Sequence, residues 1–571
     1  MHLRHGNSSK AMHTHCSSSL IQRALVCSFI LACNSFTLYS QPVSQPAAAL
    51  SDSTDLPPTT PPQPVIGKVL PLRLGDAISL TLERNQSIQL QKSSVMLTRG
   101  ELQSAIGAFD PIITGQLQGT YSSTDNNEST DYNTVTQLTG GATTTGGFLS
   151  NVQDALSVQM AVQKTFRNGI VFAPQFTFSD DVNQITGEST DSTNAFLGFS
   201  VQIPLGAGLG PDNPSAAAER AMALELAAAV STLEFTVSQQ IYNTVSAYWN
   251  CLLNQTNVRI ARSNEASARR LVEITEALIR GYVEPAIQLA QAKANLEQYT
   301  AQRIAAEQQQ SLASQQLAVA MGFTPMELLN EPLIIDSFPT PLADEILTTD
   351  KIKVLIELAI SLRCDVRSNK QMIAANRVLV SGAENAIRPQ VNLILGGGAQ
   401  QGSNTQTFTG SRTTESQRGL AAAATLSIAW PIFNNTAKGE LVQSQAQLQQ
   451  ARVQASLTES QVASDVITSA KSVILMREAL AEAMASAQDS LTSVKAQQTL
   501  FTMGMTSLTE VITTQTNLAN AQLTVATYQS NYANAVLGLR YATGTLLPSG
   551  SAKGNYKLDL GSLARLPSPS P

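Results

Sequence analysis

The residue types that most often perform chemistry are placed where they have little to do. All four histidines, His2, His5, His13 and His15, lie at the extreme N-terminus, ahead of a segment expected to be removed. A mature chain without imidazole has no Ser-His-Asp or Cys-His catalysis and no His-ligated zinc. Lysine-based and carboxylate-only chemistry stay open, yet no carboxylates cluster into a motif. Cys251 and Cys364 stand far apart and make no disulfide framework. The stretch GAGLG at 206–210 follows a predicted strand and precedes a predicted helix, as a dinucleotide loop would. Pro211 occupies the place of the third glycine of G-x-G-x-x-G, and the following helix is too long for a βαβ unit, so it reads as a strand-to-helix turn. A net charge of −6 argues against a nucleic-acid partner. The expectation is a chain that is not an enzyme, with no cofactor and no metal.

The segment Ala24–Ala32 is short, apolar and preceded by Arg23. It reads as the core of a secretory signal within residues 1–40, with Met12 as an alternative start. Ile30-Leu31-Ala32-Cys33 has a lipobox-like pattern that makes Cys33 a candidate for lipidation; the other reading is a cysteine within the apolar core. Residues 41–70 are rich in Pro, Ser and Thr and read as a tether, and residues 546–571 as a disordered tail. No later run approaches the ~18 uninterrupted apolar residues of a membrane-spanning helix.

Between tether and tail the chain runs through one pattern twice, over 71–325 and 351–545, with a connection at 326–350. Each copy opens with a helical pattern that ends at a proline, Pro111 or Pro389, which cannot continue a helix. Strand patterns follow, within 111–205 and 389–432. Ile113, Leu117 and Tyr121 alternate with Thr114, Gln116 and Gln118; Val391, Leu393 and Leu395 form another apolar face. Leu197, Phe199, Val201 and Ile203 alternate with Ser200 and Gln202, and Leu426, Ile428, Trp430 and Ile432 with Thr425 and Ser427. Segments of about ten residues with one apolar and one small or polar face are the strand signature of a membrane barrel; a half-buried soluble sheet is the other reading. The late strands end near Pro204 and Pro431. The first copy carries 51 extra residues between its prolines (93 from Pro111 to Pro204, against 42 from Pro389 to Pro431). They include a predicted hairpin, Leu156–Phe166 and Ile170–Phe178, turning at Asn168-Gly169. Trp430 is a candidate for an interfacial aromatic belt.

A long helix follows in each copy, within 214–320 and 437–540. After Pro214 there is no Pro or Gly up to Arg280, and none from Glu440 to Met503. Leu226, Val230, Leu233, Val237, Ile241, Val245, Tyr248 and Leu252 recur at the three- and four-residue steps of a coiled-coil seam. Such a helix is a rod of roughly 100 Å. Gly281 and Gly504 then interrupt the rods, each expected to permit a positive φ, and a second helix returns.

In order and length of segments, the chain resembles the TolC-like outer-membrane factor family from about residue 70 to 545. Pro111, Pro204, Pro389 and Pro431 match its helix–strand junctions; Gly281 and Gly504 match the glycines at its periplasmic helical tips. The resemblance implies a protein that is mainly α with a membrane β-barrel. It implies a homotrimer in outer-membrane lipid, with about four strands per protomer in one shared twelve-stranded barrel, helices forming a cylinder through the periplasm, and residues 326–350 as an equatorial connection. It further implies an efflux or secretion duct that engages a periplasmic adaptor and an inner-membrane transporter. Tyr282, Val283, Met505, Thr506 and Ser507 would be exposed beside the tip glycines. Glu510 and Thr513 fall at the positions of the family's acidic aperture residues; only Glu510 is acidic, and Thr506 stands where the family has a basic tip partner. The alternative is a trimeric surface coiled-coil protein, structural or adhesive, without a channel.

Overall fold

The structure is a computed structural model. It describes residues 71–126, 149–185, 188–281, 285–324, 326–327, 332–341, 347–408 and 411–547. The chain divides into residues 1–63 and 64–571, and every described residue belongs to the second unit. The signal segment, Cys33, the tether up to residue 70 and the tail from residue 548 lie outside the described residues.

Helices dominate. α1 (Leu74–Arg84) and α2 (Gln86–Gly107) lead into the first strands; α3 (Pro214–Arg280) and α4 (Ile287–Ala320) follow them. α5 (Thr349–Leu362) and α6 (Cys364–Ala386), then α7 (Asn435–Thr502) and α8 (Leu508–Ala542), repeat the order around the second strands. α3 has 67 residues and α7 has 68, so each is a rod of about 100 Å. Local chemistry explains where α3 begins: the Asn213 side chain accepts from the Ala216 amide, and Pro214 occupies the first turn, where its missing N–H costs nothing.

α3 packs along α2, α4, α6 and α8, and α7 along α5, α6 and α8. Of the predicted seam, Val237, Ile241, Val245, Tyr248 and Leu252 are buried with Leu317, Met321 and Leu537; Leu226, Val230 and Leu233 are half-buried. A second cluster joins Leu355, Val462, Val466, Val473, Val536 and Leu539. Each fully buried aliphatic side chain contributes about 1.5–3 kcal/mol. α3 also contains an 18-residue stretch of mean hydropathy 1.3, apolar enough by length and composition to cross a membrane. The stretch passes on its average, which tolerates interspersed charges, and is not an uninterrupted apolar run.

The connection is tied to the rods at mid-height. β1 (Pro71–Leu72) pairs in parallel with β6 (Leu333–Ile334). The Asp336 carboxylate accepts from the Leu74 amide at 2.9 Å and from the Tyr248 hydroxyl at 2.8 Å. Phe338 lies 5.9 Å from Trp249.

The other strands form one antiparallel meander, β2 (Ile112–Asn126), β3 (Leu149–Thr165), β4 (Val171–Ile185), β5 (Glu188–Pro204), β7 (Gln390–Phe408) and β8 (Ser411–Ala429), hydrogen-bonded in that order. The sheet thus has six strands where the resemblance implies about four. The surplus of the first copy supplies β3 and β4 as full members. β8 ends at Ala429, so Trp430, Pro431 and Ile432 lie beyond the strand into which the alternation had extended them.

Candidate functional site

Three places in the fold carry the predicted residues: the sheet, its junction with the rods, and the far ends of the rods.

Directly paired residues share a face of a sheet, so the register sorts every strand. One face carries Ile113, Leu117 and Tyr121 of β2 and Val158, Met160 and Val162 of β3. It continues with Phe172, Phe176 and Phe178 of β4, Leu197, Phe199 and Val201 of β5, Leu393 and Leu395 of β7, and Leu420, Leu426 and Ile428 of β8. The other carries Thr114, Gln116 and Gln118; Ser157, Gln159 and Gln163; Gln175, Thr177 and Ser179; Asn194, Ser200 and Gln202; Asn392 and Gln400; and Thr425 and Ser427. From Leu420 to Ile428 the apolar band spans about 27 Å along the strand, close to the ~25 Å band of outer-membrane barrels. Trp430 is 68% exposed and Phe433 74%, just beyond that band. Phe196 is the aromatic exception on the polar face. A Cβ on Gly198 or Gly398 would meet its ring at 2.5 or 2.8 Å, so the two glycines let the ring lie flat on the sheet.

All four predicted prolines sit between helix and strand. Pro111 separates α2 from β2, Pro389 separates α6 from β7, Pro204 ends β5 and Pro431 follows β8. Close backbone contact holds this zone. A Cβ on Gly206 would meet the Pro389 carbonyl at 2.1 Å; Gly208 and Gly210 have φ of +89° and +86°. GAGLG is therefore a packed strand-to-helix turn. Asn385 accepts from the Gly208 amide at 2.7 Å and donates to the Leu209 carbonyl at 3.1 Å. The β3–β4 turn, Phe166–Ile170, is seated here too. Arg167 makes a two-pronged pair with Glu219 at 2.7 and 2.6 Å and stacks 5.2 Å over Phe109. Asn213 donates to the Arg167 carbonyl at 2.7 Å, and Lys164 donates to the Phe109 carbonyl. A Cβ on Gly169 would meet the Gly208 carbonyl at 2.0 Å. Sequence reasoning missed Asn213, although an asparagine directly before Pro214 at a helix start was a usable capping signal; Asn385 and the Arg167–Glu219 pair had no local signal.

At the far end, the structure brings the two helix turns together. Leu271, Val272, Ala292, Phe501, Leu508 and Val511 form one buried cluster, and Gln291 of α4 donates to Thr509 of α8 at 3.3 Å. Gly504 has φ of +73°. Its amide donates to the Phe501 carbonyl and the Met505 amide to the Leu500 carbonyl, both at 2.9 Å, which closes α7 as a Schellman motif. Gly281 differs: it caps α3 at φ −81°, so the positive φ expected there is corrected. Its amide simply continues the helical pattern to the Ala277 carbonyl. Tyr282 and Val283 lie outside the described residues. Met505 is exposed, Thr506 half-buried, and Glu510 and Thr513 are exposed one turn apart on α8. Ser507 accepts from the Glu510 amide at 3.3 Å, so Glu510 sits in the first turn of α8, where a carboxylate complements the helix dipole.

Among the described residues no group of three His, Cys, Asp or Glu side chains could hold a metal. Cys251 is buried, its sulfur 3.5 Å from the Ser314 hydroxyl. The Cys364 thiol donates to Glu234 at 3.3 Å; burial, then that carboxylate, push it up to about 11. Neither cysteine forms a disulfide, and a thiol held protonated is a poor nucleophile.

Residues 355–545 match the family model of outer membrane efflux proteins. No curated protein matches the chain. The fold is similar to three solved structures: the CmeC outer membrane channel of Campylobacter jejuni (TM-score 0.57, 16% identity, 86% of this chain and 90% of that one); the outer membrane protein VceC of Vibrio cholerae (0.55, 16%, 82% and 96%); and the open state of the MtrE outer membrane channel of Neisseria gonorrhoeae (0.54, 15%, 83% and 89%). With paired long rods, a two-faced sheet and duplicated helix–strand order already in view, the second copy is similar to outer membrane efflux proteins and the whole fold is similar to that of outer membrane channels.

Proposed function

We propose that the chain is the outer-membrane exit duct of a tripartite efflux or type I secretion system. Three copies would close one barrel in outer-membrane lipid, and the rods would extend through the periplasm to a periplasmic adaptor and an inner-membrane transporter. The supporting observation is the sheet: an apolar band on one face and Thr, Ser, Gln and Asn on the other, across all six strands. A closed barrel satisfies every backbone group in lipid, turns the band outward and leaves a wet lumen. A surface coiled coil without a channel has no use for a sheet apolar on its outer face. On this reading the exposed Met505 and Ser507 and the half-buried Thr506, with Gly281, Tyr282, Val283 and Gly504, form the adaptor-facing tip. Three Glu510 side chains and the neighbouring Thr513 residues ring the aperture, and Cys33 is the candidate lipid anchor. Residues 71–325 and 351–545 act as the two halves of each protomer. Single-channel recording of the purified protein in planar bilayers tests the reading. Discrete, cation-selective conductance steps are expected, and a protein that inserts without conducting overturns it.

A further inference from the structure

The surplus of the first copy could hang from the barrel as an extracellular cap, fold inward as a plug, or stand in the wall. We propose that β3 and β4 stand in the wall, so that three copies of this chain close a barrel of eighteen strands; this rests on the trimeric duct reading above.

Four observations carry it. First, β3 and β4 pair along nearly their whole lengths with β2 and β5, from Ile112↔Gln163 to Asn126↔Leu149 and from Val171↔Gln202 to Ile185↔Glu188. Removing them from the wall would break both ladders. Second, Val158, Met160, Val162, Phe172, Phe176 and Phe178 continue the apolar band across them, and Phe172 lies 6.1 Å from Phe199 of β5. A cap or a plug in water has no reason to carry that band. Third, the β3–β4 turn is clamped to the rods through Arg167, Glu219 and Asn213.

The fourth observation concerns closure. Six antiparallel strands leave edges β2 and β8 running in opposite directions, so β8 of one copy can pair antiparallel with β2 of the next. Following partners across the sheet, Leu117 leads to Val158, Phe178, Ala195, Gln401 and Arg418. Leu117 stands five residues from the start of β2 at Ile112, and Arg418 eleven from the end of β8 at Ala429. The sheet therefore climbs six residues (11 − 5) from edge to edge. With the rod-proximal ends level in three copies, that is a stagger of about eighteen residues around eighteen strands. At ~3.3 Å per residue and ~4.8 Å between strands the tilt is about 35°, at the edge of the 35–45° range of closed barrels. The backbone diameter is then roughly 33 Å, against about 22 Å for twelve strands at the same tilt. The membrane portion becomes wider than the resemblance implies, in the size class of porin barrels.

Engineered cysteines test both levels. Level ends bring Thr114 of β2 beside Ser427 of the neighbour's β8, and a two-residue slip brings Gln116 there instead. T114C/S427C or Q116C/S427C is expected to give covalent trimers on non-reducing gels, which neither single variant gives. If both pairs fail, the trimeric duct reading falls and the eighteen-strand barrel with it. Wall membership is then read in liposomes, against the parent chain, with a membrane-impermeant maleimide and a lipid-soluble one. T177C, on the polar face of β4, is expected to react with the impermeant reagent at least tenfold faster than F176C, which only the lipid-soluble reagent labels. Trimer cross-links combined with equal impermeant labelling at both positions would show β3–β4 outside the wall and overturn the proposal, leaving the duct reading intact.

Discussion

Replacing Gly504 with valine tests whether the geometry of the helical tip is functional. Gly504 holds φ of +73°, a conformation that costs an L-residue about 1–2 kcal/mol and a β-branched one more. Two hydrogen bonds depend on it, from the Gly504 amide to Phe501 and from the Met505 amide to Leu500, each contributing about 1 kcal/mol. The local destabilisation is therefore roughly 2–4 kcal/mol, a 30- to 1000-fold rise in tip opening. The effect stays local, because the main core clusters lie around Tyr248 and Val466 and the sheet lies at the opposite end of the rods. Gly504→Asn tolerates the same φ and is expected to lose less than about 1 kcal/mol. Three readouts follow: outer-membrane trimer yield, trypsin cleavage near Lys495, and export of a fluorescent substrate in cells. Valine is expected to keep the trimer, raise cleavage at least tenfold and abolish export, while asparagine stays near wild type. Unchanged cleavage in the valine variant would refute the backbone reasoning. Raised cleavage with normal export would refute the role of the tip in docking.

Three further outcomes are expected. Glu510→Gln should weaken cation selectivity and block by divalent ions in bilayer recordings, because three carboxylates around one axis attract cations; unchanged selectivity and block would remove Glu510 from the aperture. Arg363→Met should destabilise the helical body by about 2–3 kcal/mol, read as a lower melting temperature by circular dichroism. Arg363 is 7% exposed between Asp365 and Asp465, its guanidinium lies over Phe235 and Tyr541, and the half-exposed carboxylates it leaves soften a full buried-pair loss. Cys364, its thiol pushed up to about 11 by burial and Glu234, should alkylate about two orders of magnitude more slowly than a free cysteine at pH 8. Since the folded state favours the protonated form, its rate should climb with pH toward 11; fast alkylation at pH 8 would contradict the buried Glu234 contact.

The order of elements was legible in the chain because it rests on local chemistry. Pro214 opens a helix, long Pro- and Gly-free stretches sustain rods, Pro111 and Pro389 end helices, and alternation marks strands whatever they pair with. The two faces of each strand were equally legible, since side chains alternate by geometry alone. Strand ends were not: alternation ran through Trp430 and Ile432, but the ladder to β7 stops at Ala429. Gly281 and Gly504 looked equivalent in sequence, yet only Gly504 takes a positive φ. A glycine permits that conformation, and the surrounding hydrogen bonds decide whether it is used.

By itself, the sequence determined an imidazole-free body, a duplicated helix–strand–helix pattern, rods of about 100 Å and strands with one apolar and one polar face. All of these follow from residue type and spacing along the chain. Only the tertiary structure decided that the surplus of the first copy joins the sheet, because strand partnership is a non-local choice between distant segments such as Ile112 and Gln163. It alone decided that Arg167 meets Glu219 across 52 residues, and that the two tips share one core through Leu271 and Phe501. Those contacts are set by how rods and sheet fold back on one another, which no window of the sequence contains.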